Sequence, residues 1–493
     1  MSSPSQTPAI PKAAPPVGLG AWMQRVVEEC DRAAADFAPD PVHDLRVALR
    51  RCRSMADGLI AMDPDPSWKD MKRAGKKLFR SLGELRDMQV MEEWVHRLEH
   101  HDHPAGKVLL GHLGGRESQL KVAAEQALKE FDRKQWLRWS RSLPRRAARF
   151  RPGSILFKHL ALEKWTAAHD LHRRALRNRS QLAFHSLRIG LKRLRYIVEN
   201  FLPQQHLEWK DDLKELQDIL GEVHDLDVLW STAVRIHAFP DADSRARWRE
   251  RLQKERQSRL DKYHQKMVGP ASLWPVWRAA LPQGPEIASA ALGRLRLWAS
   301  LLDPDFKHAE HLAQLALQLY DGLPGKASVA DWKGQDERSL LRMAALLHDV
   351  GRAKGEKSHH KRTFRLVTRM TPPLGWSERE LRLAGAIARY HRGALPRAGQ
   401  KTLAGLTPTE RKIALRLAGI LRLAEAFDSN HDRRINRVAV HEHNGYLQIA
   451  AEGYSPRDDM AETIAGARHL LETIYRRPIL VKPLTFPSLK LVS

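Results

Sequence analysis

From Leu19 to about Val268, apolar residues recur at three- and four-residue intervals, with Arg, Lys and Glu between them and few β-branched runs. That is the period of amphipathic helices packed on one face. The stretch 269–285, GPASLWPVWRAALPQGP, breaks the period with Pro270, Pro275, Pro282 and Pro285 and reads as a linker. The helical period returns from Glu286 to about Ser429. It then gives way to alternation in RVAVHEHNGYLQIAAEG (437–453), where two runs flank Asn444-Gly445, a hairpin signal in which both turn positions favour positive φ. A helix over about 456–475 and a short strand in ILVKP (479–483) complete the pattern. The chain is therefore expected to be mainly α, with an all-helical domain over 19–268, a linker over 269–285, and a helical domain with a small terminal sheet over 286–483. Residues 1–18, rich in Pro and Ser, and 484–493 read as tails.

Composition narrows the function. The 493 residues carry 83 Lys and Arg against 58 Asp and Glu, a formal net charge of +25. Residues 101–200 alone hold 22 Lys/Arg against 8 Asp/Glu, with runs such as RRAARFR (145–151) and HRRALRNR (172–179). Such an excess repels itself unless an anion answers it, and the preference for Arg suits the planar pairing of phosphate oxygens. No run approaches the ~20 apolar residues of a membrane span. The first 18 residues lack the apolar core of a secretory signal. Two cysteines, Cys30 and Cys52, make neither a disulfide framework nor a Cys-based zinc site, which fits a reducing cytoplasm. Phe and Tyr are too few, and no basic-aromatic sheet motif appears, for a single-strand nucleic-acid binder. Non-specific nucleic-acid binding at low salt is the expected consequence of the charge, and a membrane partner is not expected.

The first domain repeats itself. His43-Asp44-Leu45-Arg46-Val47-Ala48-Leu49-Arg50-Arg51-Cys52-Arg53 recurs as His185-Ser186-Leu187-Arg188-Ile189-Gly190-Leu191-Lys192-Arg193-Leu194-Arg195. A second pair follows in the same order: LGELRDMQV (82–90) recurs as LGEVHDLDV (220–228). Two similar halves around a pseudo-twofold axis are expected. At 100° per residue, His43, Arg46, Arg50 and Arg53 fall on one stripe about 80° wide, with Leu45, Leu49 and Cys52 off it. His185, Arg188, Lys192 and Arg195 form the same stripe in the second copy. Neither stripe contains an acid, so an external anion is the natural counter-charge. Lys72, Lys76 and Arg80 on the next helix extend the basic surface of the first half.

The string HxxRxxxRRxR, its second form HxxRxxxKRxRY and the following LGxxxDxxV resemble the CHAD domain, the conserved histidine α-helical domain, over roughly residues 19–268. The resemblance implies two four-helix halves forming a basic cavity that binds inorganic polyphosphate. Carried over by position, the binding residues are His43, Arg46, Arg50, Arg51 and Arg53, then His185, Arg188, Lys192, Arg193 and Arg195. Association with polyphosphate granules in the cytoplasm would follow from such binding.

In the second domain an apolar helix ends in Leu347-His348-Asp349-Val350-Gly351, read as a helix with a glycine stop. An imidazole and a carboxylate side by side can share one divalent cation. Around this string stand Asp305-Phe306-Lys307-His308, His359-His360-Lys361, Ala388-Arg389-Tyr390-His391-Arg392 and Ile420-Leu421-Arg422-Leu423-Ala424-Glu425-Ala426-Phe427-Asp428. AALLHDVG, SHHKR, IARYHRGALP and GILRLAEAFD resemble the C-terminal HD-type region of the exopolyphosphatase and guanosine pentaphosphatase family, over about 286–483. The resemblance implies a metal shell of His308, His348, Asp349 and Glu425 around Mn, Mg or Fe. Glu425 stands where HD phosphohydrolases carry Asp, and Arg362 where the family string has its last His. The actin-like domains that carry that family's exopolyphosphatase site, with their Gly-rich phosphate loops, have no counterpart in the sequence.

Two readings stay open at this point. One is a polyphosphate-binding protein with an appended HD-like phosphate-handling module, in which His348 hydrogen-bonds Glu425 and Asp349 caps the next turn. The other is a metal-dependent HD phosphohydrolase acting on polyphosphate or a phosphorylated nucleotide, the first domain raising the local substrate concentration.

Overall fold

The computed structural model describes residues 18–98, 104–325, 336–397 and 399–484. Apart from Gly18 and Leu484, the expected tails lie outside these residues. The chain divides into two compact units: one of residues up to 61 and 65–282, the other of 283 onward with 62–64.

The first unit is helical throughout, and its two halves run in step. The first half is α1(Gly18–Asp36), α2(Pro39–Ile60), α3(Ser67–Ala74), α4(Lys76–Leu98), α5(Pro104–Lys129) and α6(Arg133–Ala147). The second is α7(Ile155–Asn178), α8(Gln181–Phe201), α9(Pro203–Arg235), α10(Ala242–Met267) and α11(Leu273–Ala279). Helix α1 lies on α2 as α7 lies on α8, and α4 on α5 as α9 on α10. The halves meet where α2 packs on α8 and α4 on α9, the four helices that carry the repeated motifs. The third helix is interrupted at Gly75 in the first half and continuous over 33 residues in the second. Four helices per half were expected, and the structure adds a closing one to each: α6 against α1, and α11 against α7. The segment 269–285, expected as a linker, therefore holds a folded helix, with Trp274 and Trp277 buried. Burial of two indoles outweighs the prolines, since Pro275 lies in the first turn of α11, where its missing N–H costs nothing.

The off-stripe residues form the core. Leu45, Leu49 and Cys52 are fully buried. Met91, Trp94, Leu109, Leu226, Leu229 and Trp248 belong to one apolar cluster fed by both halves. Phe201, stacked on Phe157 with centroids 4.2 Å apart, lies over Gly58 of α2 so closely that no Cβ fits there. Cys30 and Cys52 are unpaired and buried, and burial pushes the Cys30 thiol up to about 12.

The second unit comprises α12(Pro285–Ser300), α13(Phe306–Gly322), α14(Glu337–Leu347), a 3-10 turn (Val350–Lys354), α15(His359–Thr368), α16(Glu378–Arg389), α17(Pro408–Phe427), β1(Val438–His443), β2(Tyr446–Ala451), α18(Met460–Tyr475) and β3(Ile479–Pro483). The strands form one sheet in the order β1-β2-β3, β1 antiparallel to β2 and β3 parallel to it, with α18 as the crossover. Of the two hairpin turn residues, only Gly445 is left-handed (φ +85°), so the turn is not the doubly positive type expected. Capping boxes start α16 (Ser377 with Glu380) and α17 (Thr407 with Glu410). Helix α14 is buried nearly all round at Met343, Ala344, Ala345, Leu346 and Leu347. It thus delivers His348 and Asp349 to the middle of the helices.

Candidate functional site

In the first unit the packing of α2 on α8 brings the two stripes together. Arg46, Arg50, Arg188 and Lys192 lie within electrostatic reach of one another, with Asp87 beside them. Burial, then Arg188, Arg50 and Arg46, lowers the Lys192 ammonium to about 8. Its proton is held weakly because burial strips the ammonium of water and three guanidiniums already crowd the spot.

The paired motifs have a common geometry. The Arg46 guanidinium donates to the carbonyls of Leu82 (3.1 Å) and Gly83 (2.8 Å) and lies 3.8 Å from Asp87. A Cβ on Gly83 would lie 3.8 Å from that guanidinium, and one on Gly221 would lie 4.0 Å from Nε of Arg188. Each Leu-Gly step is thus the wall against which the arginine of its partner motif rests. The Nε of Arg188 is buried without a hydrogen-bond partner.

Several residues of the stripes already have partners within the fold. Arg51 pairs with Glu199 at 2.5 Å and lies over Trp22, and Arg195 is 3.9 Å from the same carboxylate. Lys72 pairs with Asp57, and Arg80 with Glu84 at 3.0 Å. Arg53 donates to the Lys72 carbonyl and lies over the Phe79 ring. Lys76 and Arg193 are exposed, and Arg193 lies off the stripe by helical phase. The absence of acids from the stripes did not mean the absence of acids nearby: Asp57 and Glu199 follow the motifs on α2 and α8, and Glu84 and Asp87 lie on α4. Among the described residues, Arg50, Arg188 and Lys192 have no carboxylate partner.

The histidines sit at the edge of this cluster. His43 is lowered by its packing and by Arg50 and Arg86. His185 Nδ1 is 3.3 Å from His224 Nδ1, and burial with Arg188 and His185 lowers His224 to about 4. Arg86, paired with Glu93 at 3.2 Å, and His224, held neutral, occupy equivalent positions of the second motif and were not among the expected binding residues. Burial also raises Asp225 to about 6 beside Arg188, and Tyr196 brings a buried, unpartnered hydroxyl close to Arg50.

In the second unit all four expected metal-shell residues converge. His308 Nε2 is 3.2 Å and His348 Nε2 3.6 Å from Glu425 Oε2, and His348 Nε2 is 3.5 Å from Asp349 Oδ2. Two histidines join them that were visible in the sequence without an assigned role. His359 Nε2 is 3.1 Å and His391 Nε2 3.7 Å from Asp349 Oδ1, and the two nitrogens are 3.4 Å apart. The ligand atoms form two overlapping triads that share His348: one with His308 and Glu425, the other with Asp349 and His391.

The ring tautomers follow from the backbone. Nδ1 of His348, His359 and His391 each contacts a carbonyl oxygen three residues earlier, at 2.7, 2.8 and 2.7 Å. A carbonyl only accepts, so each Nδ1 carries hydrogen, and each Nε2 faces the cluster. The outward nitrogen of His308 is likewise fixed, by Asp428 at 2.7 Å. Anchored imidazoles with inward Nε2 atoms, two carboxylates and a buried Nε2 of His348 without a partner fit a divalent cation. His348 Nε2 is 3.6 Å from Glu425, short of a hydrogen bond, and Asp349 makes no side-chain cap on the following turn, so these two expected contacts are not formed.

Electrostatics point the same way. Burial would raise Asp349, yet His348, His359 and His391 hold it far below the usual carboxylate range. Burial likewise opposes the ionised form of Glu425, but His308, His348 and His391 outweigh it and bring the carboxyl down to about 2. His308, despite its burial, is lifted to about 10 by Asp428 and Glu425. Asp303, also buried, points an unpartnered oxygen into the same neighbourhood.

Gly351 is required for contact rather than as a helix stop. A Cβ there would collide with the His359 carbonyl and the Thr363 N–H, because the 3-10 turn lies directly on α15. Arg362, which stands in place of a further histidine, donates to the Gly351 carbonyl at 3.0 Å and braces the same junction. Gly351→Ala is expected to push α15, and His359 with it, away from Asp349. The expected cost is about 1–3 kcal/mol in urea unfolding, and unchanged stability would show the contact to be soft.

Comparison with known proteins fits both halves of this picture. Residues 19–234 match the family model of the CHAD domain, and residues 298–451 that of the Ppx/GppA phosphatase, domain III. Among solved structures, the crystal structure of the CHAD domain from the plant Ricinus communis is 22% identical, over 53% of this chain and 88% of that one, with a TM-score of 0.37. Comparison with curated proteins finds no match.

Proposed function

The chain joins a CHAD domain to a Ppx/GppA phosphatase domain III, and from that premise we propose that it binds inorganic polyphosphate at the cluster of Arg46, Arg50, Arg188 and Lys192. Its function is polyphosphate-related on either reading of the second unit. The observation that carries the proposal is that Arg50, Arg188 and Lys192, drawn from both halves, are packed together with no carboxylate in ion-pair contact among the described residues, Asp87 and Asp225 lying within electrostatic reach only. Charge of that density at a packed junction has a cost that a polyanion removes. His43, His185, Arg86 and His224 flank the cluster as further phosphate donors. The other expected basic residues, Arg51, Arg53, Arg193, Arg195, Lys72, Lys76 and Arg80, give a broader positive surround. No helix among the described residues is long and apolar enough to cross a membrane.

The test is calorimetric titration with long-chain polyphosphate and with orthophosphate. Cations contributed by two halves reward a chain over single ions, so orthophosphate should compete poorly, and affinity should fall steeply with salt. The pH dependence has a definite sign. Lys192 loses its charge as pH rises through about 8, so affinity should fall between pH 7 and 9, with a proton taken up on binding in that window. Lys192→Arg should remove that dependence. Orthophosphate competing as well as the chain would count against the proposal.

A second reading rests on the anchored histidines. We infer that His308, His348, Asp349, His391 and Glu425, with His359 alongside, hold a divalent cation of the Mn, Mg or Fe class. Such a cation supplies Lewis-acid polarisation of a phosphoryl oxygen and lowers the pKa of a water. The chain's own residues fix the three Nδ1–H tautomers, keep Glu425 and Asp349 ionised and exclude bulk water by burial. Arg352, 2.9 Å from Asp349, orients that carboxylate. The reaction supported is hydrolysis of a phosphoanhydride or phosphoester in polyphosphate or a phosphorylated nucleotide, with the CHAD domain concentrating a polyanionic substrate.

A further inference from the structure

The run HRRALRNR (172–179) has no place in the cluster just described. Its last member, Arg179, ends α7 in the left-handed region (φ +49°, ψ +16°), a position that glycine usually takes. It lines a cavity of about 360 Å³ formed by the start of α8, the last turns of α9 and the middle of α10.

The walls of this cavity differ in chemistry. One is apolar, made by Leu226, Trp230 and Leu252. Another carries the amides of Gln181 and Gln253 and the carboxylate of Asp227. Asp227 is already answered: Arg256 Nε and Gln181 Nε2 both donate to it at 3.0 Å. Arg179 and Arg249 are exposed at the rim and have no carboxylate partner among the described residues. The N-terminus of the 21-residue helix α8 opens here as well, adding the positive end of its dipole. Gln181 precedes Arg188 by seven residues, so the cavity lies roughly 10 Å along α8 from the polyphosphate cluster.

Inorganic polyphosphate matches only half of this lining, since it has no apolar part for Trp230, Leu226 and Leu252. The volume is at the small end of the range of small-molecule sites, roughly 300–1,000 Å³. We propose that the cavity is a nucleoside-phosphate site distinct from the polyphosphate cluster. The base lies on the indole of Trp230 and the two leucines, with its polar edge toward the amides of Gln253 and Gln181. The phosphates lie at Arg179, Arg249 and the first turn of α8. The left-handed backbone at Arg179 places a long cation at the end of α7, where a glycine would offer none.

The test uses the full chain, ATP and GTP as probes, and inorganic triphosphate as the ligand without a base. One purine nucleotide should bind with the polyphosphate cluster already saturated by long chains. Trp230→Ala should weaken its binding about ten-fold, the worth of one stacked base. Trp230→Phe should retain most of it, which guards against misreading a folding defect. Arg179→Ala with Arg249→Ala should also weaken it about ten-fold or more, while neither change alters long-chain polyphosphate affinity. Inorganic triphosphate should be indifferent to Trp230. The proposal is overturned if neither nucleotide binds, if saturating polyphosphate abolishes nucleotide binding, or if Trp230→Ala leaves ATP and GTP affinity unchanged.

Discussion

Arg50→Ala, Arg188→Ala and Lys192→Ala combined should weaken long-chain polyphosphate binding by three decades or more, with the melting temperature nearly unchanged or raised. Each charge-assisted contact contributes on the order of 1.5–3 kcal/mol, and three such contacts make a loss of that size. The choice of residues comes from the structure. Arg46 also belongs to the site, but its guanidinium holds the Leu82 and Gly83 carbonyls, so truncating it removes internal hydrogen bonds as well as ligand contacts. Arg51 would be a poorer test still, since its loss removes the 2.5 Å partner of Glu199 and leaves Arg195 at 3.9 Å. Among the described residues no carboxylate is in ion-pair contact with the three chosen side chains, so removing them breaks no salt bridge; the repulsion relieved offsets the positive charge lost near Asp87 and Asp225. A folded triple variant that binds long chains with wild-type affinity would sink the assignment. Adding Arg46→Ala should deepen the loss of binding and also lower the melting temperature, separating the two roles of that residue.

The first unit was legible because the chain states its plan twice. The repeat marks which helices meet, and helical phase marks which face is basic and which is core: Leu45, Leu49 and Cys52 are buried as that phase requires. What phase cannot show is which cations are answered by acids from other helices. Arg51 and Lys72 look like their neighbours in sequence, yet Glu199 and Asp57 reach them only after folding. The prolines of 269–285 misled because a composition signal for a linker is blind to two tryptophans that find a groove. In the second unit the strings around His359 and His391 were visible, but their roles depend on distances across helices. His359 and His391 are 32 residues apart, with ring nitrogens separated by 3.4 Å. The backbone carbonyls that orient the three imidazoles leave no trace in the sequence at all.

Those carbonyls set up the other large expected effect. The purified chain should contain a divalent metal near one equivalent or above by elemental analysis, and His348→Ala should remove it together with any phosphohydrolase activity on polyphosphate or nucleotide phosphates. His348 is shared by both triads, so no other single ligand should have as complete an effect. Chelation of the wild-type chain should lower its melting temperature. A ligand at 100 times its Kd stabilises the native state by about 2.7 kcal/mol, and that increment is what the chelator withdraws. The pH dependence follows from His308. Without metal its imidazole is held protonated up to about pH 10 by Asp428 and Glu425, so the cation must displace the proton on Nε2. Metal affinity should therefore rise with pH across the neutral range, and uptake should release a proton. His348→Gln keeps much of the side-chain volume and serves if the alanine variant fails to fold. Should the wild-type chain contain no metal and its melting temperature ignore chelators, the cluster is held together by protons on His308 and His359. The second unit would then be a phosphate-handling module without hydrolytic chemistry, and the polyphosphate site of the first unit would stand by itself.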